Sequence, residues 1–466
     1  MAMKRKRPLR LHQRTAFEYS QVQHPALYME MRLGKTLVAI RRCLTYRPRH
    51  GKSFGLRVLV VAPNSALGSW EDELDTESVA WIRLMGSKKD RKETLKRAWP
   101  SAHTLPYFFL VNKEGHMSTP EMGVMEWDAV IIDESHFIKS PRAQVTKFFL
   151  KAFRDVPHRW LLTGTPNPEG DHEFFTQLAF QHDTFMGFKN FYHWQSVLYF
   201  PHPAGYGQLP KTGTPERIQK EVGKHCLVMR RKDVGVEKNK VEEVRWLELP
   251  TKERKVYDKL EKEFIFEHEE NYKDTIWAGA KFQWLRQLCG GFGPDQVKVH
   301  TLKINALVDI ATGELAKEQL VIWFNFNAEL HEVTKLLAKK KVKCIGMTGE
   351  TKPEMREKYR RSFQKGHIRV LCVQQAIAQT GMNLSASDTA IYFSQPAGYL
   401  AWKQTQDRIL DLGQDSSLLL LYLVVRNSVD EDIHLALRQK GVTSDKTLTQ
   451  AIKAQTEKRC GIGRQG

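Results

Sequence analysis

Met29-Glu30-Met31-Arg32-Leu33-Gly34-Lys35-Thr36 follows a polar N-terminal segment and runs into the apolar helical pattern Leu37-Val38-Ala39-Ile40. Gly-Lys-Thr at a helix start suits a phosphate-binding loop, because backbone N–H groups and the positive end of the helix favour an anion there. In that reading Lys35 reaches the β- and γ-phosphates of a nucleotide and the Thr36 hydroxyl holds Mg²⁺. Met29 stands where the pattern usually has its first glycine. An ordinary strand–loop–helix turn with an exposed lysine has the same local sequence, so the choice rests on what lies downstream.

Short apolar runs alternate downstream with longer amphipathic ones. Leu56 to Ala62 is bounded by Gly55 and Pro63, Asp128 to Ile132 leads into Asp133-Glu134, and Arg159 to Leu162 leads into Thr163-Gly164. These read as buried parallel strands with polar ends. Open α/β sheets bind ligands beyond the carboxyl ends of their strands. Adjacent carboxylates at such an end can divide two tasks. Asp133 would hold Mg²⁺, usually through water, and Glu134 would orient and deprotonate an attacking water. A capping or surface Asp-Glu pair is the alternative for these two residues alone. The order Gly-Lys-Thr, Asp-Glu-Ser-His, Thr-Gly-Thr-Pro, each at a strand end, favours the nucleotide reading. The second half repeats the pattern: Gln319 to Phe324, Ile368 to Val373, Thr389 to Phe393 and Ser417 to Val425 are strand-like, with helical stretches between them.

The chain has 466 residues, too many for one core. Its expected division is a first α/β lobe over 1–235, a charged helical connector over 236–302, a second α/β lobe over 303–440 and a C-terminal tail over 441–466. The formal net charge of +19 points to a polyanionic partner, nucleic acid first and an anionic membrane second. No basic amphipathic helix with a broad apolar face supports the membrane reading, and no apolar run approaches the ~18–20 residues needed to span a bilayer. Lys4 to Arg7 reads as a solvated arm that touches phosphates, or as a nuclear signal; no apolar region follows it, so it is not a secretory signal. The six cysteines include no Cys-x-x-Cys pair and read as free thiols in a reducing cytoplasm.

The ordered motifs resemble those of superfamily 2 helicases and translocases, and further stretches resemble the Swi/Snf-type branch. Ala62-Pro63-Asn64-Ser65-Ala66-Leu67-Gly68-Ser69-Trp70 is similar to its motif Ia, and His136-Phe137-Ile138-Lys139-Ser140 to the tail of motif II. Leu227 to Val234 is similar to the close of the first lobe, and Lys303-Ile304-Asn305-Ala306-Leu307 to the opening of the second. Gly381 to Asp388 resembles motif V, Gln404-Thr405-Gln406-Asp407-Arg408 with Gly413-Gln414 resembles motif VI, and Ser428-Val429-Asp430-Glu431 resembles the segment that ends the core. The match runs from about Leu9 to Lys440.

The resemblance implies two RecA-like lobes, parallel sheets flanked by helices, with ATP in the cleft between them. It places Gln13 at the adenine, Arg32, Gly34, Lys35, Thr36, Asp133, Gly381 and Arg408 at the nucleotide, and Mg²⁺ on Thr36 and Asp133. Lys35, Glu134 and Arg408 carry the catalytic roles. His136, Thr163, Thr165 and Gln404 couple nucleotide to nucleic acid, and Ser65, Asn112, Asn325, Thr348 and Gln374 line the nucleic-acid track. Phosphate oxygens accept from such side chains, so recognition should ignore sequence.

Two departures stand out. Arg32 occupies a position where the family most often has glycine, and Asp411 one where it usually has a second arginine. Arg408 alone suffices, a basic residue elsewhere substitutes, or turnover is impaired; removing an arginine of this kind costs on the order of 10³ to 10⁵ in rate.

The implied activity is that of a nucleic-acid-stimulated ATPase translocating on duplex or branched DNA. Compactness suggests a bacterial or bacteriophage motor for replication, recombination or repair, monomeric and cytoplasmic in a bacterial or infected host cell. An RNA helicase, and a nucleotide-gated DNA-binding protein with little turnover, are the other readings.

Overall fold

Strands buried on both faces must be apolar on both sides, and those of this chain alternate between two cores rather than between core and solvent. The computed structural model describes residues 7–48, 55–168, 170–201, 208–236, 239–270, 275–378, 382–410 and 417–441. They form two units, one reaching to Val236 and one from Glu237 to Gly441.

The first unit contains β1 (Ala26–Met29), β2 (Arg57–Ala62), β3 (Ala80–Arg83), β4 (Tyr107–Asn112), β5 (Ala129–Asp133), β6 (His158–Thr163), an antiparallel pair β7 (Tyr199–Pro201) and β8 (Gln208–Pro210), and β9 (Cys226–Met229). Seven of these form one parallel sheet in the order β3-β4-β2-β5-β6-β1-β9. Tyr28, Leu59, Val61, Val130, Ile132 and Leu161 join one apolar cluster. Their strand neighbours Leu27, Val58, Val60, Ala129, Ile131 and Leu162 join a second cluster. Two cores on one sheet require helices on both faces, which is the three-layer arrangement of a RecA-like lobe.

The second unit contains β10 (Lys240–Leu247), β11 (Leu320–Phe324), β12 (Cys344–Met347), β13 (Val370–Gln374), β14 (Thr389–Tyr392) and β15 (Leu418–Val425). They form a parallel sheet ordered β10-β15-β14-β11-β13-β12. Val321, Trp323, Leu371, Val373 and Tyr392 face one cluster, while Leu320, Ile322, Phe324, Val370 and Ile391 face the other. The fold class expected from the sequence, two α/β lobes with helix-flanked parallel sheets, is the one found.

Two local expectations are corrected. The segment before the phosphate loop is not merely polar: Ala26–Met29 is a fully buried strand between β6 and β9. The stretch 236–302 is not an all-helical connector, because it opens with β10, which pairs with β15 along its whole length and belongs to the second unit. β10 carries Lys240, Glu242, Glu243 and Arg245 because it is an edge strand, with one side left to solvent. The helices Thr251–Glu270 and Thr275–Gly290 follow it.

Candidate nucleotide and nucleic-acid site

The strand order brings the motifs together. β1, β6 and β5 are neighbours, with Tyr28 opposite Thr163 and Leu162 opposite Asp133. Their carboxyl ends therefore place the phosphate loop, Thr163-Gly164-Thr165 and Asp133-Glu134 side by side. β2 and β4 continue the same rim, with Ala62 opposite Asn112.

Gly34 caps the helix Lys35–Cys43 in a left-handed conformation, φ +83°. A Cβ there would lie 2.2 Å from Gln13 Nε2, so the loop needs glycine both for its backbone and for the close approach of Gln13. Gln13 donates from Nε2 to Leu33 O at 3.4 Å, and its Oε1 accepts from Arg10 N at 3.0 Å. The amide thus joins the helix Leu11–Tyr19 to the phosphate loop. Arg32 also has positive φ, +67°, which explains why glycine is usual there; a non-glycine residue in that region is strained by about 1 kcal/mol. Lys35 donates to Met29 O at 2.7 Å and to Glu30 O at 3.3 Å, closing the loop over its own ammonium. Arg231 tethers the loop from just beyond β9: its N–H donates to Glu30 Oε2 at 2.8 Å.

Asp133 is buried at the end of β5. Its Oδ2 accepts from Trp70 Nε1 at 2.8 Å and its Oδ1 from Glu134 N at 2.9 Å. Burial first, and the neighbouring Glu134 carboxylate second, push its pKa up to about 6, while the Trp70 hydrogen bond and Lys35 pull it down. A buried carboxylate so short of positive charge fits a cation ligand. Among the described residues no cluster of three or more His, Cys, Asp or Glu could enclose a metal. Asp133 and Thr36, which the resemblance assigns to Mg²⁺, offer the oxygen donors that this ion accepts beside phosphate oxygens.

Glu134 is left-handed, φ +53°, at the start of the turn Ser135–Ile138. Strained backbone of this kind clusters at functional positions. The Thr163 hydroxyl donates to Glu134 Oε2 at 3.3 Å, and His136 Nδ1 lies 3.3 Å from both oxygens. Thr165 N donates to Thr163 Oγ1 at 3.1 Å. Glu134, His136, Thr163 and Thr165 are thus one connected network. Gly164 packs on the phosphate loop, where a Cβ would meet Met31 N at 3.2 Å. The turn after β6 touches both the carboxylate and the loop.

Of the track candidates, Ser65 is the second residue of the helix Asn64–Thr76 after β2. Asn112 caps the helix Lys113–Met117, its Oδ1 accepting from Gly115 N at 2.8 Å. In the second unit Asn325, Thr348 and Gln374 sit at the carboxyl ends of the neighbouring strands β11, β12 and β13. Gln374 Oε1 accepts from Gly349 N at 2.8 Å, Thr348 Oγ1 accepts from Glu350 N at 3.3 Å, and Asn325 N donates to Ser394 Oγ at 2.7 Å. Gln404 and Arg408 share one face of the helix Tyr399–Ile409, four residues apart. Gln404 Oε1 is buried with no hydrogen-bond partner among the described residues. Gly381 and Asp411 lie outside the described residues.

Sequence reasoning missed two working parts. Trp70 holds Asp133, and Arg231 holds Glu30. Both fall inside the quoted motif-like stretches, but nothing in their spacing names their partners. Replacing Trp70 with Phe removes a donor that favours the Asp133 carboxylate. Activity that needs this carboxylate ionised falls as pH drops, and because the Trp70 hydrogen bond favours the ionised form, in the Trp70→Phe variant that acid limb moves to higher pH. A pH profile of nucleotide hydrolysis, with activity unchanged on the alkaline plateau, is the expected result; an unmoved limb would remove Trp70 from the site.

The sequence matches the family model described as SNF2-related domain over residues 18–289 and that described as Helicase conserved C-terminal domain over 302–413. It is 21% identical over 447 residues to the putative ATP-dependent helicase/translocase YwqA of Bacillus subtilis, covering 90% of this chain and 46% of that protein. It is 25% identical over 466 residues to the transcription regulatory protein SNF2 of Saccharomyces cerevisiae, covering 91% and 26%. It is 24% identical over 434 residues to the SWI/SNF-related matrix-associated actin-dependent regulator of chromatin subfamily A-like protein 1 of Xenopus laevis, covering 88% and 41%. The chain spans less than half the length of these relatives. A solved Sulfolobus solfataricus SWI2/SNF2 ATPase core in complex with dsDNA aligns over 96% of this chain and 95% of its own, at 18% identity and a TM-score of 0.44.

Proposed function

The chain belongs to the SNF2-related family, and from that membership we propose that it is a DNA-stimulated ATPase that translocates on duplex or branched DNA. The observation that carries the reading is the rim of the first sheet, where Lys35, Asp133, Glu134, His136 and Thr163 converge from three neighbouring strands. Lys35 holds the β- and γ-phosphates once its loop carbonyls release it. Thr36 and Asp133 would hold Mg²⁺, which when bound neutralises charge on those phosphates. Glu134 orients water and takes its proton; the Thr163 hydroxyl and His136 fix its carboxylate. A change at the γ-phosphate reaches His136 and Thr163 directly, and these pass it toward Ser65 and Asn112 on the same rim. Arg408 neutralises transition-state charge, and Asn325, Thr348 and Gln374 grip phosphates of the track. Gln13 holds the adenine and Gln404 couples the two events.

The family and the net charge of +19 favour DNA held through its backbone, without sequence preference. We extend the proposal, by analogy alone, to a role in replication, recombination or repair, as a monomer in a bacterial or phage-infected cytoplasm. The test is ATP turnover at matched salt on single strand, blunt duplex, fork, four-way junction and RNA. Strong stimulation by duplex or branched DNA and weak stimulation by RNA are expected. Stimulation by RNA alone would make the protein an RNA helicase. Asp411→Arg, measured beside the unaltered chain, decides the remaining alternative: DNA binding that responds to ATP with near-zero turnover, rescued by the arginine, would make the native chain a nucleotide-gated binder. Equal rates would show that position 411 does not matter.

A further inference from the structure

Between β6 and β9 the first unit carries an element that none of the nucleotide chemistry uses. The helix Phe191–Leu198 leads into the antiparallel pair β7 and β8, and the helix Thr214–His225 returns the chain to the sheet. The inner side is well packed: Trp194, Leu198, Tyr199 and Ile218 all join the main core of the unit. The outer side is apolar as well. Tyr192 is 50% exposed and Phe200 56%, with Val197 and Leu209 also open to solvent. Exposed aromatic rings offer flat apolar faces on which bases can stack.

Both rings are flanked by cations. The Arg142 guanidinium lies 5.9 Å from the Tyr192 ring centre and donates from Nε to its hydroxyl at 3.3 Å. The Lys211 ammonium lies 5.0 Å from the Phe200 ring centre, and is held by Val197 O at 2.8 Å and Ser196 O at 3.2 Å. Over residues 184–220 the sequence has a single acidic residue, Glu216, against Lys189, Lys211, Arg217 and Lys220. An apolar patch meant for another protein's core has no need of this bias, whereas a polyanion with flat apolar faces matches it.

The position is also fitting. Arg142, which holds Tyr192, follows His136 by only six residues, so Tyr192 lies beside the segment leaving the carboxyl end of β5. At its other end the helix Thr214–His225 brings His225 against His182, ring centres 4.3 Å apart, and His182 faces His24, two residues before β1 begins. That is the amino side of the sheet. The 12 residues of this helix span about 18 Å, which carries the hairpin back from that side toward the rim of the nucleotide and track residues.

We propose that Tyr192 and Phe200, near the two ends of the helix Phe191–Leu198 and each beside a cation, are stacking positions for unpaired bases, with Arg142 and Lys211 holding the adjoining phosphates. Aromatic platforms between cations are how single strands are bound without sequence preference. The proposal rests on the reading of the protein as a DNA translocase and adds a reason for it to favour forks and other branched DNA over intact duplex. On intact duplex the bases are already stacked and the site stays idle.

The experiment uses the full chain and measures binding of a labelled oligothymidylate, a fork and a blunt duplex by fluorescence anisotropy at fixed salt, with duplex-stimulated ATPase in parallel. Phe200→Ala and Tyr192→Ala are each expected to weaken single-strand and fork binding about tenfold, the scale of one lost base–ring stack. Duplex binding and duplex-stimulated turnover are expected to stay within about twofold, and Phe200→Trp is expected to retain single-strand binding. Unchanged single-strand affinity in the double alanine variant overturns the proposal. So does an equal loss on duplex and single strand, or ring-dependent self-association without any change in DNA binding, which would make the patch a protein interface. If the unaltered chain shows no duplex-stimulated turnover but ring-dependent single-strand binding persists, the stacking site stands and the translocase reading fails.

Discussion

Replacing Glu134 with Gln is expected to lower DNA-stimulated ATP turnover by about 10² to 10⁴, the usual contribution of a positioned general base, while leaving nucleotide binding within about twofold. The substitution keeps shape and removes basicity. The new amide oxygen can still accept from Thr163 Oγ1, the contact Glu134 Oε2 now makes at 3.3 Å, so the turn after β6 keeps its anchor. The left-handed backbone at φ +53° is retained as well, because the strain belongs to the Cβ and is the same for both residues. What is lost is the negative charge against His136 and the ability to take a proton from water. Asp133 loses its like-charged neighbour, so its pKa moves down from about 6 and its carboxylate is ionised over a wider range. Turnover measured at saturating duplex DNA, beside equilibrium binding of a fluorescent nucleotide, separates these effects. Turnover within tenfold of the unaltered chain would reassign the base; lost binding would recast Glu134 as a structural residue.

The largest stability effect is expected at Lys303, in the second unit. Its side chain is fully enclosed, donating to Phe393 O at 2.9 Å and to the Asp430 carboxylate, with the ammonium 5.7 Å from the Phe393 ring centre. Lys303 lies in the first turn of the helix Leu302–Thr312 and Asp430 just beyond β15, so the pair ties an early segment of that unit to a late one. Lys303→Ala leaves a buried carboxylate without its cation and an unpaired carbonyl, and costs about 3–5 kcal/mol. Removing both charges, as Lys303→Met with Asp430→Leu, recovers most of that, because the desolvation cost disappears with the ions. Hydrogen exchange across β11, β14 and β15 reads the second unit directly: protection there should fall in the single variant and largely return in the double. A single variant costing under about 1 kcal/mol, the range of an exposed pair, would show the pair to be dispensable.

The parts of this fold legible in the sequence are those with continuous apolar runs. β2, β5, β11 and β15 announce themselves because a strand covered on both faces has no polar alternation to hide it. β1 is illegible because four residues, Ala-Leu-Tyr-Met, are short and include no β-branched side chain. β10 misleads for the opposite reason: its charges suit a solvated helix as well as an edge strand, and only its pairing with β15 distinguishes them. The placement of Lys35, Thr36, Asp133 and Glu134 along one rim is readable because they follow strands that lie close together in the sheet. The hydrogen bond of Trp70 to Asp133, spanning 63 residues, depends on how a helix packs on the sheet, and no local pattern carries it. Arg32 looks like a departure in composition; its positive φ identifies the physical demand that glycine usually meets.

The order of strands in the first sheet has a consequence for how such a protein can be altered. From β1 to β2 there are three steps across the sheet, through β6 and β5. At roughly 4.8 Å a step this is about 14 Å, beyond the distance at which substitutions usually interfere. If the proposed roles hold, fuel and grip are therefore separable traits: the turns after β2 and β4 can be redesigned for a different track while the loop after β1 is left alone, and the energies should add. The turn after β5 has no such freedom. It lies between the two, so a single change there retunes both at once, and directed evolution of this protein should find that position the least forgiving.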